Sequence, residues 1–293
     1  NRRTVVVIDE AGMAGTRTLA PVLDAAARAG AKAVLLGDPR QLPEIDAGGV
    51  LAGLAWRLGA TELVENRRQR EVWERDALAE LRDGDVDSAF GAYQRNGRVV
   101  TGTTALEVRQ RLVADWWSYR LSGDAVAMVA FRRDDVDDLN GRARAYLQRS
   151  GDLTGPELVV ADRPFQAGDN IVCLRNDRRI GVHNGTRALV TDINSERHEM
   201  TIQAGGDPIR LPAEYVQAGH IAHGYATTIH KTQGATVDRG LLLGSDELFR
   251  ERGYVGMSRG RLSNHLYLID APEPDHGTGH GPPPPAADPV DAV

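Results

Sequence analysis

Two carboxylates stand at the tip of an apolar run near the start of this 293-residue sequence, where VVVI at 5–8 leads into Asp9-Glu10-Ala11-Gly12. A carboxylate at the end of a buried strand, with a second beside it, suits a magnesium ion and a polarised water. Asp9 would hold the ion mostly through its waters, and Glu10 would activate the attacking water. An acidic loop after a strand is the plainer reading of that tetrad taken alone. A second cluster, LLGDPRQLPEI at 35–45, sets Asp38 and Gln41 in a proline-stiffened turn. An uncharged amide that both donates and accepts suits a terminal phosphate or the water attacking it, although Gly-Asp-Pro is also ordinary turn chemistry.

Three more clusters follow. GYATTIHKTQGATVD at 224–238 crowds Thr227, Thr228, His230, Lys231, Thr232 and Gln233 into seven residues. Hydroxyls, an imidazole and an amide at that density suit the phosphates of a nucleic-acid strand and a nucleotide cleft together. A solvated polar helix start is the alternative. Lys231-Thr232 is not the end of a phosphate loop, because His230 and Tyr225 stand where that loop needs glycine. YVGMSRGR at 254–261 ends a helix with Arg259 and Arg261. An arginine inserted across a domain interface stabilises charge on a transferring phosphoryl group, while a basic helix C-terminus also balances the macrodipole. ENRRQREVW at 65–73 offers Arg67, Arg68 and Gln69, as a phosphate contact or as a solvated helix face.

The elements that must hold these clusters are legible from periodicity. Residues 4–8 and 33–36 are short continuous apolar runs of the kind found in central parallel strands. Between them 17–29 carries Leu19, Val22, Leu23 and Ala26 at helical spacing and stops at Gly30. That strand-helix-strand unit sets both of the first two clusters at the carboxyl ends of strands, the edge where open α/β sheets bind ligands. Helices are expected over 71–92, 104–120 and 134–149, the last with Val136, Leu139 and Ala143 inward, and a strand over 125–131. From 156 to 222 the character changes to short strands with turn chemistry at His183-Asn184-Gly185 and Ala204-Gly205-Gly206. This predicts a small all-β insert, with Arg175, Arg178, Arg179 and Arg187 either touching a strand or simply facing solvent. The α/β pattern then returns with a strand at 240–244, a helix near 246–258 and a strand at 265–270. Residues 271–293, rich in proline, glycine and alanine, are expected to be a disordered tail.

Composition narrows the class. Apolar residues make up 41% and charged residues 26%, an ordinary globular balance. No run approaches a membrane span, no signal peptide opens the chain, and a cytoplasmic setting is expected. The single cysteine, Cys173, excludes an internal disulfide framework. A net charge of −6 argues against a simple DNA-coating module but leaves room for a local strand groove. Lys32 and Lys231 are the only lysines beside 33 arginines.

Order and spacing lift the five clusters together. D-E-A-G, G-D-x-x-Q-L-P, R-R-Q, T-x-H-K-T-Q-G and Y-V-x-x-S-R-x-R resemble motifs II to VI of superfamily 1 DNA helicases. The resemblance is to the RecD-like branch, and within it to the helicase part of conjugative relaxases of the TraA/TraI kind, over residues 4–270. It implies an α/β fold of two RecA-like parallel-sheet domains, the first incomplete, with a small SH3-like all-β insert in the second. The implied boundaries are 1–66 for the first domain, 67–155 with 223–270 for the second, and 156–222 for the insert.

The resemblance also implies roles. Asp9 and Glu10 would meet Mg²⁺, with Glu10 catalytic, and Gln41 would read the γ-phosphate of ATP. Arg68 and Arg259 would be the catalytic arginines of motifs IV and VI, Asp38, Gln233 and Gly234 would line the nucleotide, and Thr228 and His230 would touch single-stranded DNA. Thr236 stands where many relatives carry the glutamate that meets the ribose, and Ser258 replaces the usual threonine before Arg259. The implied activity is ATP-driven movement along single-stranded DNA, 5′ to 3′, with other conjugation or DNA-processing proteins as partners and no membrane. No G-x-x-x-x-G-K-[ST] occurs in these residues. Motif I is expected before residue 1, and the chain alone is expected to be inactive. The reading from another class is a non-catalytic strand-binding or scaffolding remnant.

Overall fold

The computed structural model describes residues 1–38, 50–63, 65–246 and 248–270. Gln41 and the expected tail at 271–293 lie outside the described residues. The first unit is β1 (Val5–Ile8), a 3₁₀ turn at Ala11–Met13, α1 (Thr16–Arg28) and β2 (Lys32–Leu35), with α2 at Val50–Leu58. β1 and β2 pair in parallel, Val5 opposite Lys32 and Ile8 opposite Leu35. The apolar run at 4–8 suggested a strand buried on both faces, and the structure corrects this. Val5 and Val7 are 55% and 57% exposed, because among the described residues only one face of the pair is covered, by α1 through Leu19 and Ala26.

The second unit opens with α3 (Val72–Asp83) and α4 (Val86–Arg95), where periodicity predicted one helix over 71–92. The break has a local cause. Gly84 takes a left-handed φ of 103° and ends α3, and the Asp85 side chain caps α4 by accepting from Ser88 N–H at 3.1 Å. β3 (Val99–Gly102), α5 (Ala105–Leu121), β4 (Val126–Ala130) and α6 (Arg133–Ser150) follow. Thr104 caps α5, while the Glu107 carboxylate accepts from Thr103 N–H at 2.9 Å. Gly151, at φ 79°, ends α6.

The chain then builds β5 (Thr154–Val160), β6 (Arg163–Ala167), β7 (Asn170–Cys173), β8 (Arg187–Asn194), β9 (Glu199–Gln203), β10 (Pro208–Leu211), α7 (Ala213–Gln217) and β11 (Ile221–His223). An antiparallel sheet in the order β10-β9-β8-β7-β11 and the β5–β6 hairpin share one core around Phe165, Ile171, Val190, Ile202 and Leu211. After this insert come β12 (Ala226–Thr228), α8 (Ile229–Thr232), β13 (Val237–Leu243), α9 (Arg250–Met257) and β14 (Gly260–Ile269). Strands from both sides of the insert form a single parallel sheet, β12-β4-β13-β14-β3. One face is covered by α5 and α6 around Leu112, Trp116, Leu139 and Tyr267, the other by α3, α4, α8 and α9 around Leu78, Val129, Ile229 and Val255. Among the described residues no helix is long and apolar enough to cross a membrane.

A buried polar joint fastens the insert to this sheet. Asp169, fully buried between β6 and β7, accepts from Gln166 N–H at 2.7 Å, from Arg144 Nε at 3.1 Å and from the Tyr225 hydroxyl. Arg144 also donates to Gln166 Oε1 at 3.0 Å. Beside it the Asn140 side-chain oxygen accepts from Tyr225 and Ala226 N–H, at 3.0 and 2.8 Å, and so fixes the start of β12. Removing the carboxylate would strand the Arg144 guanidinium in a dry site. Asp169→Ala is therefore expected to lower unfolding stability by about 3–5 kcal/mol, read by urea denaturation followed by circular dichroism.

Candidate functional site

The chain folds so that the carboxyl edge of β1–β2 meets the amino edge of the second parallel sheet. Glu10 ends β1 in a left-handed conformation, φ 50° and ψ 38°, and its N–H donates to Asp9 Oδ1 at 3.0 Å. A non-glycine residue in that region costs on the order of 1–3 kcal/mol and is retained where surrounding structure over-determines it. The neighbouring turn supplies that structure. Ala11 N–H donates to Leu36 O at 2.8 Å. A Cβ on Gly37 would stand 2.8 Å from Leu51 Cδ2 and 3.0 Å from Gly12 N, so only glycine lets the two turns touch.

Across the gap, Gln233 Nε2 donates to Glu10 Oε2 at 3.2 Å. A Cβ on Gly234, at φ 77°, would lie 3.5 Å from Glu10 Oε1. Arg259, immediately before β14, is 2% exposed. Its Nη1 donates to Thr232 O at 3.3 Å and its Nη2 to Ser258 Oγ. Arg68 Nη1 donates to Ser258 O at 2.9 Å. The acceptors of both guanidinium groups are thus neutral, and among the described residues neither has a carboxylate at ion-pair distance. Burial pulls the Arg259 guanidinium down to about 10, the adjacent Arg68 pushes the same way, and Tyr254 and Glu10 oppose. It remains a cation at neutral pH. Arg259 Nε and Gln233 Oε1 are buried without a partner. Two cations with neutral acceptors, beside polar atoms left unsatisfied, form a site arranged for a polyanion.

The remaining candidates distribute around this cleft. Asp38 follows β2 within electrostatic reach of Tyr254 on α9. Asp9 is exposed beside Glu10. No group of three histidine, cysteine or acidic side chains converges among the described residues. An ion at Asp9 and Glu10 would therefore draw most of its oxygens from water and phosphate, a donor set that fits magnesium. Arg67 pairs with Glu65 at 2.7 Å in solvent, and Arg261 pairs with Asp238, so each already has a carboxylate partner, unlike Arg259 and Arg68. Thr228 and His230 lie elsewhere. Thr228 is opposite Ala130, the last residue of β4, at the carboxyl edge of the sheet. The segment from Thr228 to Gly234 therefore runs from one edge of the sheet to the other. Burial and the nearby Arg252 depress the His230 pKa, favouring a neutral imidazole. In the insert, Arg179 pairs with Asp177, Arg175 meets His220 at 3.1 Å, Arg187 donates to Gly224 O and Arg178 is exposed.

Comparison with known proteins places this geometry. Residues 1–104 match the family described as an AAA domain. The chain is 39% identical over 268 residues to the conjugal transfer protein TraA of Rhizobium radiobacter, covering 90% of this chain and 24% of that protein. It is 28% identical over 289 residues to the RecBCD enzyme subunit RecD of Mycolicibacterium smegmatis, covering 88% of this chain and 48% of the relative. Among solved structures it resembles Bacteroides Pif1 bound to ssDNA, with a TM-score of 0.59 at 17% identity over 89% of this chain and 70% of that one. By sequence and fold, the chain resembles superfamily 1 helicases of the RecD/TraA type. It spans about a quarter of the length of the TraA relatives it matches. The Pif1 helicase in complex with ADP-AlF3 and ssDNA aligns at a TM-score of 0.59 and 18% identity, over 91% of this chain and 70% of that one.

Of the residues that hold Arg259 in place, the sequence pointed to Gln69 only as a phosphate contact or a solvated helix face, and Asn264 and Glu74 were passed over. Gln69 Nε2, 2% exposed, donates to Ser258 O at 3.1 Å and to Gly260 O at 2.9 Å, straddling the arginine. Asn264 Oδ1 accepts from Gly260 N–H, and Asn264 Nδ2 donates to Glu74 Oε1 at 3.0 Å. Glu74 is fully buried on α3, and its Oε2 has no partner. A glutamate that looks like one of many on a charged helix carries no sequence signal for this role. Burial raises its pKa above the ordinary carboxylate value, against the lowering effects of Asn264, Arg98 and Tyr93. Because the folded pKa exceeds the unfolded one, the native state binds the extra proton, and stability falls as pH rises above 4.5 through the folded value. Glu74→Gln removes that dependence, so the melting temperature of the variant minus that of the native chain should increase between pH 4 and pH 7. A flat difference across that range would contradict it.

Proposed function

We propose that this chain is part of an ATP-dependent translocase that moves along single-stranded DNA and unwinds duplex, 5′ to 3′, within a cytoplasmic conjugative relaxase-helicase. The observation that carries the reading is the juxtaposition of Glu10 with Gln233, the buried Arg259 and the half-buried Arg68 across two parallel-sheet units. Phosphoryl transfer asks a protein mainly for positioning and for cations at the developing charge. Arg259 and Arg68 answer the second demand. Glu10 answers the first as the carboxylate that orients a water and takes its proton. Asp38, Gln233 and Gly234 complete the lining, and Gln41 keeps the γ-phosphate role that the resemblance implies. Magnesium, held by Asp9 and Glu10, neutralises phosphate charge when bound.

The same residues support a coupling scheme. A triphosphate in the cleft draws the two units together through Arg68 and Arg259, and loss of the γ-phosphate relaxes that attraction. The segment 228–234 joins the cleft to Thr228 and His230 at the far edge, so closure at one end shifts the strand contact at the other, a ligand-driven domain motion. Likeness to TraA and RecD, and to Pif1 in its complexes with ssDNA and with ADP-AlF3, supports both ligands.

A second reading is a non-catalytic strand-binding or scaffolding remnant. The two readings part experimentally. The isolated chain is expected to hydrolyse ATP at no more than a trace rate, with or without single-stranded DNA. In a longer protein with a phosphate loop joined to this chain, DNA-stimulated turnover should be robust, and Glu10→Gln should lower kcat by about a hundredfold or more while leaving nucleotide affinity within about threefold. ATP-indifferent DNA binding and no turnover in that longer protein would favour the remnant, and native-like turnover of the Glu10→Gln variant would remove Glu10 from the mechanism.

A further inference from the structure

Next to Thr228 and His230, one cluster has no role in the scheme above. The Arg252 guanidinium lies between two phenylalanine rings, 3.7 Å from the centroid of Phe131 and 3.9 Å from that of Phe249. Phe131 follows Ala130, the β4 residue in register with Thr228, so the stack begins at the carboxyl edge where the strand contact is proposed. Arg252 stands on α9 close enough to His230 to depress that imidazole's pKa. Phe131 is the inner layer, packed partly against the core of the α3, α4 and α9 face, and Arg252 is the middle layer. Phe249, the N-cap residue of α9, is the outer layer and stays 45% exposed.

A phenylalanine that stays nearly half exposed forgoes much of the stabilisation that full burial of its side chain would contribute. Here the ring is also held in place. The flat guanidinium behind it fixes its plane, and Phe131 backs the guanidinium in turn. A pre-oriented aromatic face beside a cation, at the end of a track of hydroxyl and imidazole groups, matches the face of a nucleobase rather than a phosphate. Every base has such a face, so contact of this kind is tolerant of sequence, as a translocating protein requires.

We propose that Phe249, backed by Arg252 and Phe131, is a stacking platform for a base of single-stranded DNA. This rests on the strand-contact reading of Thr228 and His230. The platform lies at the opposite edge of the sheet from the nucleotide cleft, so it is testable without ATP.

The experiment is fluorescence anisotropy on the 293-residue chain with a labelled oligo-dT and with an abasic strand of the same length. Phe249→Ala is expected to weaken binding to oligo-dT about tenfold while changing binding to the abasic strand by less than about twofold. An equal loss on both strands, or no loss on either, overturns the platform and leaves the strand contact standing. If the native chain, folded by circular dichroism, binds neither strand, the strand-contact reading falls and the platform with it. Should Phe249→Ala unfold, Phe249→Leu keeps apolar bulk without the ring, and the same selective loss is expected of it.

Discussion

A buried guanidinium, Arg259, beside a half-buried one, Arg68, both with neutral acceptors, is the constraint around which the rest of the structure is arranged. Arg259 is almost fully enclosed, Arg68 repels it, and Glu10 attracts it from the opposite sheet. Enclosing such a cation is unfavourable unless an anion completes the site. The surrounding structure therefore holds it by force of packing and hydrogen bonding. Gln69 ties the carbonyls on either side of Arg259, and the Glu74–Asn264 pair ties the residue that follows it. A polyanion entering the cleft meets positive charge that is already in position, so little reorganisation is needed when it binds.

The same logic explains why one short segment matters so much. Thr228 to Gly234 begins beside Ala130 and ends against Glu10, crossing the sheet from the strand edge to the nucleotide edge. Its start is pinned by Asn140 to α6 and by Tyr225 to the buried Asp169 of the β insert. The insert is thus tied to the segment that links the two proposed sites and cannot shift without moving Tyr225. Polar joints of this kind are fully satisfied or costly, which makes them stiff.

Much of the architecture was legible because it rests on local signals. Apolar runs, helical spacing and turn residues located the β1–α1–β2 unit, α5, α6 and the all-β insert within a few residues. The misses have particular causes. The helix predicted over 71–92 is two helices, since Gly84 and Asp85 are a cap pair hidden within a run of good helix formers. The run at 4–8 has the composition of a doubly covered strand, and its exposed Val5 and Val7 follow from which neighbours lie on each face. Spacing offered Arg67 and Arg68 together, and the resemblance assigned the motif IV role to Arg68. Their environments separate them, because Arg67 pairs with Glu65 in solvent and Arg68 reaches Ser258 some 190 residues along the chain.

What the sequence determined by itself is the inventory and its order: five polar clusters, each at the end of an element whose periodicity is written in a dozen or so residues, in the succession of a RecD/TraA-type helicase. What only the tertiary structure decided is their meeting and their support. Glu10 and Gln233 are 223 residues apart and touch, Gln69 finds the backbone beside Arg259, and Phe249 faces outward over Arg252. Such contacts depend on burial and on the crossing of one sheet edge by another, and these are sums over long-range packing that no local window contains.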